Sequence, residues 1–318
     1  MPYNFALIGA AGYIAPRHLR AIKENGQNLV ASVDTNDSVG VIDNYFPDAS
    51  FFIEFERFDR HCEKLRRKGE EARVHYVSIC SPNYLHDAHI RFALRTDANA
   101  ICEKPLVLNP WNAEALCDME KETGRKVNTI LQLRLHPSII EFRNRIRNSK
   151  KRQKHKVLLT YITPRGKWYT YSWKGDTKKS GGIATNIGVH FFDMLIWIFG
   201  KVKKNILHVQ HPDKAAGRLE LENADVLWFL SIDRFDLPKP HIEYPPKPFR
   251  TITVDEENIE FSEGFTDLHT LSYKEILNEN GFGIKDTIPS IDAVFNIRNA
   301  PAIGLKGDYH PQLKKRRK

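Results

Sequence analysis

The sequence is short of the features that mark whole classes of protein. Cysteine is scarce. Cys62, Cys80, Cys102 and Cys117 fall at wide, irregular spacings with no Cys-x-x-Cys pair, which argues against a disulfide framework or a zinc site and leads us to expect a reduced, cytoplasmic chain. No apolar run approaches the eighteen or so residues of a membrane helix. The stretch Met1 to Ala15 is apolar but lacks a basic leader and a cleavage site, so it reads as a strand entering a glycine turn, with no export expected. Internal repeats, low-complexity domains and metal-ligand spacings are also missing, and no metal is expected. Acidic residues are outnumbered: Lys plus Arg total 48 against 39 Asp plus Glu, a net charge of +9, compatible with nucleic acid or small anions. Much of that surplus sits in the run Lys150 to Lys156 and the tail Lys314 to Lys318, neither of which interleaves aromatics as single-strand binders do. Neither nucleic acid nor a membrane is expected as a partner.

What is present points to two α/β domains, the usual division for 318 residues. Phe5 to Ile8 is a short apolar strand, followed by Gly9-Ala10-Ala11-Gly12-Tyr13-Ile14-Ala15 and a helix with apolar Ile14, Leu19 and Ile22. Strand, glycine turn, helix is the context of a dinucleotide site, where small residues let backbone N–H groups approach a pyrophosphate. The slots of Gly-x-Gly-x-x-Gly fall on Ala10, Gly12 and Ala15, an imperfect match with Gly9 just outside. A second strand, Leu29 to Val33, ends in Asp34, where a carboxylate bonds a ribose and repels a 2′-phosphate, selecting NAD over NADP. Helices near Ser38–Tyr45 and Phe58–Lys68, the strand His75 to Cys80, the loop Ser81-Pro82-Asn83-Tyr84-Leu85-His86 and the helix Asp87 to Arg95 continue the alternation of a parallel sheet. A further strand ends in Glu103-Lys104-Pro105, placing charge at the carboxyl end of a buried strand, where open α/β sheets bind ligands.

These elements, with His18 after the glycine turn, Ser81-Pro82-Asn83-x-x-His86 and Glu103-Lys104-Pro105 in this order, resemble the glucose-fructose oxidoreductase, inositol dehydrogenase and rhizopine-catabolism (Gfo/Idh/MocA) superfamily. The resemblance implies an N-terminal Rossmann domain over residues 1–127 that binds NAD. A C-terminal α+β domain with a large open-faced, mostly antiparallel sheet would follow over 128–318, serving substrate binding and oligomerisation. It implies that Lys104 faces the substrate. Gly9, Gly12, Tyr13, Ile14, Asp34, Ser81, Asn83, His86, Glu103, Lys104 and Gln132 then form the expected cofactor-binding set.

In the second half, Lys126 to Arg134 reads as a hinge strand, followed by a helix ending near Ser149 and a strand over Val157 to Thr163. Arg165 to Gly175 is dense in cations and aromatics, a composition that suits either an anionic, ring-containing ligand or an oligomer surface. The helix opened by Gly181-Gly182 carries Asn186, His190 and Asp193 on one face. A histidine among apolar neighbours is ordinarily a core residue, but here it belongs to a polar stripe. Strands over Asn205–Gln210, Arg218–Leu221, Ala224–Ile232, Arg250–Val254 and Asn258–Phe261 fit an antiparallel sheet, and its uncovered face is the expected assembly surface of a homotetramer.

Gly166-x-Trp168-Tyr169, Ser172-Trp173-Lys174-Gly175, Ser180-Gly181-Gly182 and Asn186-Ile187-Gly188-Val189-His190 look like one branch of the superfamily, the bacterial UDP-N-acetyl-glucosaminuronate 3-dehydrogenases of surface-polysaccharide (O-antigen) synthesis. That likeness implies oxidation of a UDP-sugar's 3-hydroxyl, with bound cofactor reoxidised by 2-oxoglutarate. It makes Lys104, Arg165, Tyr169, Lys174, Asn186 and His190 the expected substrate contacts. The superfamily commonly has aspartate where Asn186 stands, a departure that puts a carboxylate relay to His190 in doubt. A histidine starts near a pKa of about 6.5 and a lysine near about 10.4, so His190 is the expected proton acceptor and Lys104 the cation that stabilises a developing alkoxide. A dehydrogenase of a free sugar or cyclitol, and a non-catalytic NAD-sensing protein of the same fold, remain as alternatives.

Overall fold

A computed structural model of the chain describes residues 1–149, 154–241, 245, 247–259 and 267–314. Parts of the expected basic run 150–156, of the strand Asn258–Phe261 and of the tail 314–318 lie outside the described residues. The chain divides into two compact units, Met1–Leu135 with Thr266–Ile288, and His136–Phe265 with Pro289–Lys318.

The first unit is built on β1 (Asn4–Ile8), α1 (Ala15–Glu24), β2 (Asn28–Val33), β3 (Ser50–Phe52), α2 (Phe55–Arg67), β4 (Tyr76–Ile79), α3 (His86–Arg95), β5 (Asn99–Cys102), α4 (Pro110–Thr123) and β6 (Val127–Thr129). All strands pair in parallel in the order β3-β2-β1-β4-β5-β6, so the chain reverses direction beside β1. That reversal opens a crevice at the carboxyl ends of β1 and β4, where ligands bind in such sheets. β1 and β4 are buried throughout, as strands covered on both faces must be. The helix expected over Ser38–Tyr45 is a 3-10 turn over Gly40–Asn44.

A boundary after residue 127 cuts across this sheet. Val127, Asn128 and Thr129 pair with Ala100, Ile101 and Cys102 as the edge strand, and Gln132–Leu135 forms a 3-10 turn rather than the continuation of a hinge strand. The first unit therefore runs to Leu135 and recovers a segment from far along the chain.

The second unit begins with α5 (Pro137–Asn148), β7 (His155–Ile162), α6 (Trp168–Tyr171), α7 (Thr177–Ser180) and α8 (Gly182–Phe199). β8 (Val202–Gln210), β9 (Lys214–Leu221), β10 (Ala224–Ser231), β11 (Phe249–Val254) and β12 (Glu257–Asn258) follow. The sheet order is β12-β11-β7-β10-β9-β8, antiparallel except for the central β7–β10 pair. Alternation splits β10 between two faces. Trp228 and Leu230 meet α8, with the Trp228 and Phe192 rings 5.2 Å apart and edge to face. A Cβ on Gly188 would lie 2.5 Å from Leu230 Cδ1, so this glycine lets α8 seat closely on the sheet. Phe229 points the other way and is still buried, because the chain's last described segment returns over it: His310 stacks on Phe229 at 5.6 Å and bonds Thr160 Oγ1 at 3.1 Å. The outward face of the sheet is thus only partly open.

α9 (Leu268–Leu277) belongs to the first unit, where Tyr273 and Ile276 join Phe5, Leu19 and Ile22 in one core cluster. α10 (Ile284–Asn299) carries Pro289, at which the chain passes to the second unit. α8 is long and apolar enough to cross a membrane by composition, but it is mostly buried as a core helix.

Candidate active site

In the first unit the glycine turn is fixed by its own backbone. Gly9 has φ +91°, and a Cβ there would lie 2.7 Å from the Cys80 carbonyl carbon, so only glycine brings the β1 turn against the end of β4. Gly12 N–H donates to Gly9 O and Ala15 N–H to Gly12 O, each at 3.0 Å, and Ala11 N–H donates to Asp34 Oδ2 at 3.0 Å. Pro16 in the first turn of α1 has no N–H to offer. The N–H groups of Tyr13 and Ile14 make no bond among the described residues, and they are the donors left for a pyrophosphate. Tyr13 is exposed, and Asp34 also accepts from Asn36 N–H at 2.9 Å, keeping its carboxylate at the end of β2.

The loop after β4 is held by two histidines. Ser81 Oγ lies 2.8 Å from His89 Nδ1, and burial pushes His89 down to about 4, leaving that ring neutral. His86 places Nδ1 2.8 Å from Pro105 O and Nε2 2.8 Å from Ser81 O. It is a clamp between the β4 and β5 loops, with both nitrogens on backbone carbonyls; burial pushes its pKa down while those carbonyls pull it up. Asn83 is buried within the same loop. Gln132 Oε1 is buried with no hydrogen-bond partner among the described residues. A glycine turn with two unspent amides, a carboxylate at the second strand's end and an orphaned buried amide oxygen together fit a nicotinamide dinucleotide.

Below the end of β5 lies a network that sequence reasoning did not assemble. Glu103 Oε1 is 3.1 Å from His18 Nε2 and 2.9 Å from His269 Nε2; His18 Nδ1 is 2.7 Å from Tyr273 Oη, which is 2.6 Å from Ser78 Oγ. All five residues are buried. A carboxylate only accepts, so each Nε2 carries a hydrogen; His18 Nδ1 therefore accepts from Tyr273 O–H, which in turn accepts from Ser78. Burial pushes the Glu103 carboxyl up, but the hydrogen bonds from His18 and His269 outweigh it and hold it well below the usual range. Burial pushes the His18 ring down, against the pull of Glu103. His18, Glu103 and His269 offer three ligand atoms within 4.8 Å, the donor set of a metal site, yet here they are bonded to one another. Glu103 thus turns inward, onto α1 and α9, while the next residue, Lys104, is half-buried and makes no hydrogen bond with the described residues. The available signal was His269 and Tyr273 four apart on one helix face.

In the second unit, α8 presents Asn186 and His190 one turn apart, both half-buried. Asn186 Nδ2 donates to Tyr169 Oη at 2.6 Å, so the amide at the position where the superfamily commonly has aspartate fixes a buried tyrosine. Burial pushes the Tyr169 hydroxyl up, and Asn186 pulls it back. His190 lies edge-on to Tyr161 at 6.2 Å and against Phe191 at 4.1 Å. Lys174 sits over the rings of Trp173 at 4.5 Å and Trp168 at 5.5 Å, with exposed Arg165 near enough to lower its pKa further after burial. Arg165, Tyr169, Lys174, Asn186 and His190 therefore all fall within this unit; Lys104 belongs to the other.

Two family models match the chain. One, described as an oxidoreductase family with an NAD-binding Rossmann fold, covers residues 3–130, and its C-terminal alpha/beta domain covers 154–235. Among solved structures, the WlbA (WbpB) dehydrogenase from Thermus thermophilus in complex with NAD and alpha-ketoglutarate is 49% identical, with 97% of this chain and 99% of that chain covered and a TM-score of 0.93. The same enzyme in complex with NAD and UDP-GlcNAcA gives 49% identity, the same coverage and a TM-score of 0.92. Among curated proteins, the D-glucoside 3-dehydrogenase of Escherichia coli (strain K12) is 26% identical over 127 residues, which is 39% of this chain and 35% of that protein. The inositol 2-dehydrogenase of Rhizobium meliloti (strain 1021) is 26% identical over 202 residues, 63% of this chain and 56% of that protein, so the chain spans between about a third and just over half the length of these curated relatives. The glycine turn and the Glu103-Lys104 strand end lie within the match to the Rossmann model and the α8 pair within the match to the C-terminal model, and the 49% identity runs over 97% of the chain: the chain belongs to the Gfo/Idh/MocA oxidoreductase family.

Proposed function

We propose that the protein is an NAD-dependent nucleotide-sugar dehydrogenase that oxidises the 3-hydroxyl of UDP-N-acetyl-glucosaminuronic acid to the 3-keto sugar, as a step toward bacterial O-antigen. The observation that carries this reading is 49% identity across 97% of the chain to a dehydrogenase crystallised with NAD and UDP-GlcNAcA. The cations and aromatics of Arg165 to Lys179 support it, because the ligand carries a diphosphate and a carboxylate.

NAD, when bound, supplies the hydride acceptor. The chain's own work is binding and proton handling. Tyr13 and Ile14 N–H groups bind the pyrophosphate, Asp34 the adenosine ribose and Gln132 Oε1 the carboxamide N–H. His190 takes the hydroxyl proton as the carbinol hydrogen leaves with its electron pair, and Lys104 orients the hydroxyl and stabilises the oxygen as negative charge grows on it. Asn186 does not relay charge; it positions Tyr169 along the substrate wall. Glu103 acts on Lys104 through the backbone, by anchoring the end of β5 between α1 and α9.

The same reading includes reoxidation of retained NADH by 2-oxoglutarate, since the related dehydrogenase was crystallised with alpha-ketoglutarate. It also includes a cytoplasmic homotetramer assembled through the remaining open face of the second sheet, where Leu158 and Leu227 are half-buried. Light scattering on the purified chain checks the assembly. The activity is tested by following reduced-nicotinamide absorbance of the purified protein: 2-oxoglutarate should bleach it and the UDP-sugar should restore it. Reduction by a free cyclitol but not by the UDP-sugar refutes the substrate, and no redox response to either refutes the enzyme.

A further inference from the structure

His89 has no place in the Ser81-Pro82-Asn83-x-x-His86 pattern, yet the fold sets it against that loop. It stands in the first turn of α3, half-buried, with Nδ1 2.8 Å from the Oγ of buried Ser81. A serine hydroxyl has three staggered positions open to it, and a partner at that distance selects one. The plane of the imidazole is itself set by α2. Phe55, the first residue of that helix, stacks on it with ring centres 5.0 Å apart and planes 16° apart, and Phe55 in turn meets Phe92 edge to face at 5.2 Å. Turning the imidazole would give up that stack. Burial pushes His89 down to about 4, with His86 adding to it, so the ring is neutral and keeps one lone pair and one N–H for holding a hydroxyl.

Sheet order says which part of a dinucleotide Ser81 meets. β2 and β4 flank β1. Asp34, just after β2, takes the adenosine ribose and the turn after β1 takes the pyrophosphate, so the remaining half runs on over the ends of β4 and β5. Ser81 stands beyond the first of those ends.

We propose that His89 is a positioning residue for NAD, fixing the Ser81 hydroxyl so that Oγ meets the ribosyl-nicotinamide half of the cofactor in one orientation. The assignment rests on the NAD reading above and adds to it a side chain that acts through Ser81, held in its own place by α2.

Calorimetric titration of the full chain with NAD, ADP-ribose and ADP tests it in the wild type, His89→Phe, His89→Asn, Ser81→Ala and the Ser81→Ala/His89→Phe double variant. ADP ends at the pyrophosphate, whereas NAD and ADP-ribose carry the second ribose and so reach past it. His89→Phe keeps a flat ring on Phe55 and removes the nitrogen; His89→Asn returns a polar atom to the neighbourhood of Nδ1. Expected is a loss of at least threefold in affinity for NAD and ADP-ribose in His89→Phe, with ADP affinity unchanged, which also shows that the variant is folded. His89→Asn should bind all three ligands within twofold of wild type, and in the Ser81→Ala background His89→Phe should cost less than twofold more. A loss of NAD affinity below threefold, an equal loss for all three ligands, no recovery in His89→Asn, or the same loss with Ser81 already removed overturns the assignment alone. A wild type that binds neither NAD nor ADP-ribose overturns the cofactor reading, and the role of His89 with it.

Discussion

Glu103 is the residue whose removal should be felt through the whole first unit. One carboxylate oxygen accepts from two buried imidazoles, His18 on α1 and His269 on α9. Glu103→Gln keeps an acceptor oxygen in place and removes only the charge. Each bond then falls from the range of about 1.5–3 kcal/mol for a charged partner to about 0.5–1.5 for a neutral one, so two bonds cost about 2–3 kcal/mol. Glu103→Ala instead leaves two buried N–H groups without an acceptor, at about 1–3 kcal/mol each beyond the lost bonds, and should cost about 4 kcal/mol or more. Amide hydrogen exchange of the full-length protein separates the two, because the loss should appear in peptides from α1, β5 and α9 and spare those from β7 to β10, which belong to the other unit. Equal and small effects of both substitutions, below about 1 kcal/mol, would show that the histidines find other acceptors and that Glu103 does not hold the strand end.

Gly9→Ala forces a side chain into a φ of +91° and against the Cys80 backbone; it should lower NAD affinity at least tenfold by calorimetry, and near-native affinity would mean the turn has room to shift. Lys104→Met should leave NAD binding intact and abolish turnover, and a mutant with near-native rate rejects the assignment of Lys104 to the chemistry. Acid should destabilise the first unit in two stages. His18 has its pKa lowered by burial, so the unfolded chain takes up that proton first and stability falls as pH drops below about 6.5; Glu103, held below its usual range despite burial, adds a second loss as pH falls below about 4.5 and through its folded value. Urea midpoints measured against pH check this, and a midpoint that rises on acidification through both ranges contradicts it.

The parts of the fold that could be read from the sequence are those in which one local pattern has one structural meaning. Phe5 to Ile8 followed by Gly9 and Gly12 permits little except a strand entering a tight turn, and the strand–helix alternation to Arg95 follows from periodicity. The unit boundary was not legible, because nothing local in the strand read over Lys126 to Arg134 says that it pairs at the edge of the first sheet and does not lead out of it, and because recovery of α9 is a long-range event. The same distinction runs through the site. Glu103-Lys104 announces itself as charge at the end of a buried strand, yet nothing local says that the glutamate turns inward. That direction is set by His18, 85 residues earlier, and His269, 166 residues later. Asn186 shows the converse: its departure from the commoner aspartate was visible, but nothing local says that its amide donates to the Tyr169 hydroxyl, seventeen residues away. Local pattern singled out Glu103 and Asn186, and contacts distant in sequence decided which way each of them faces.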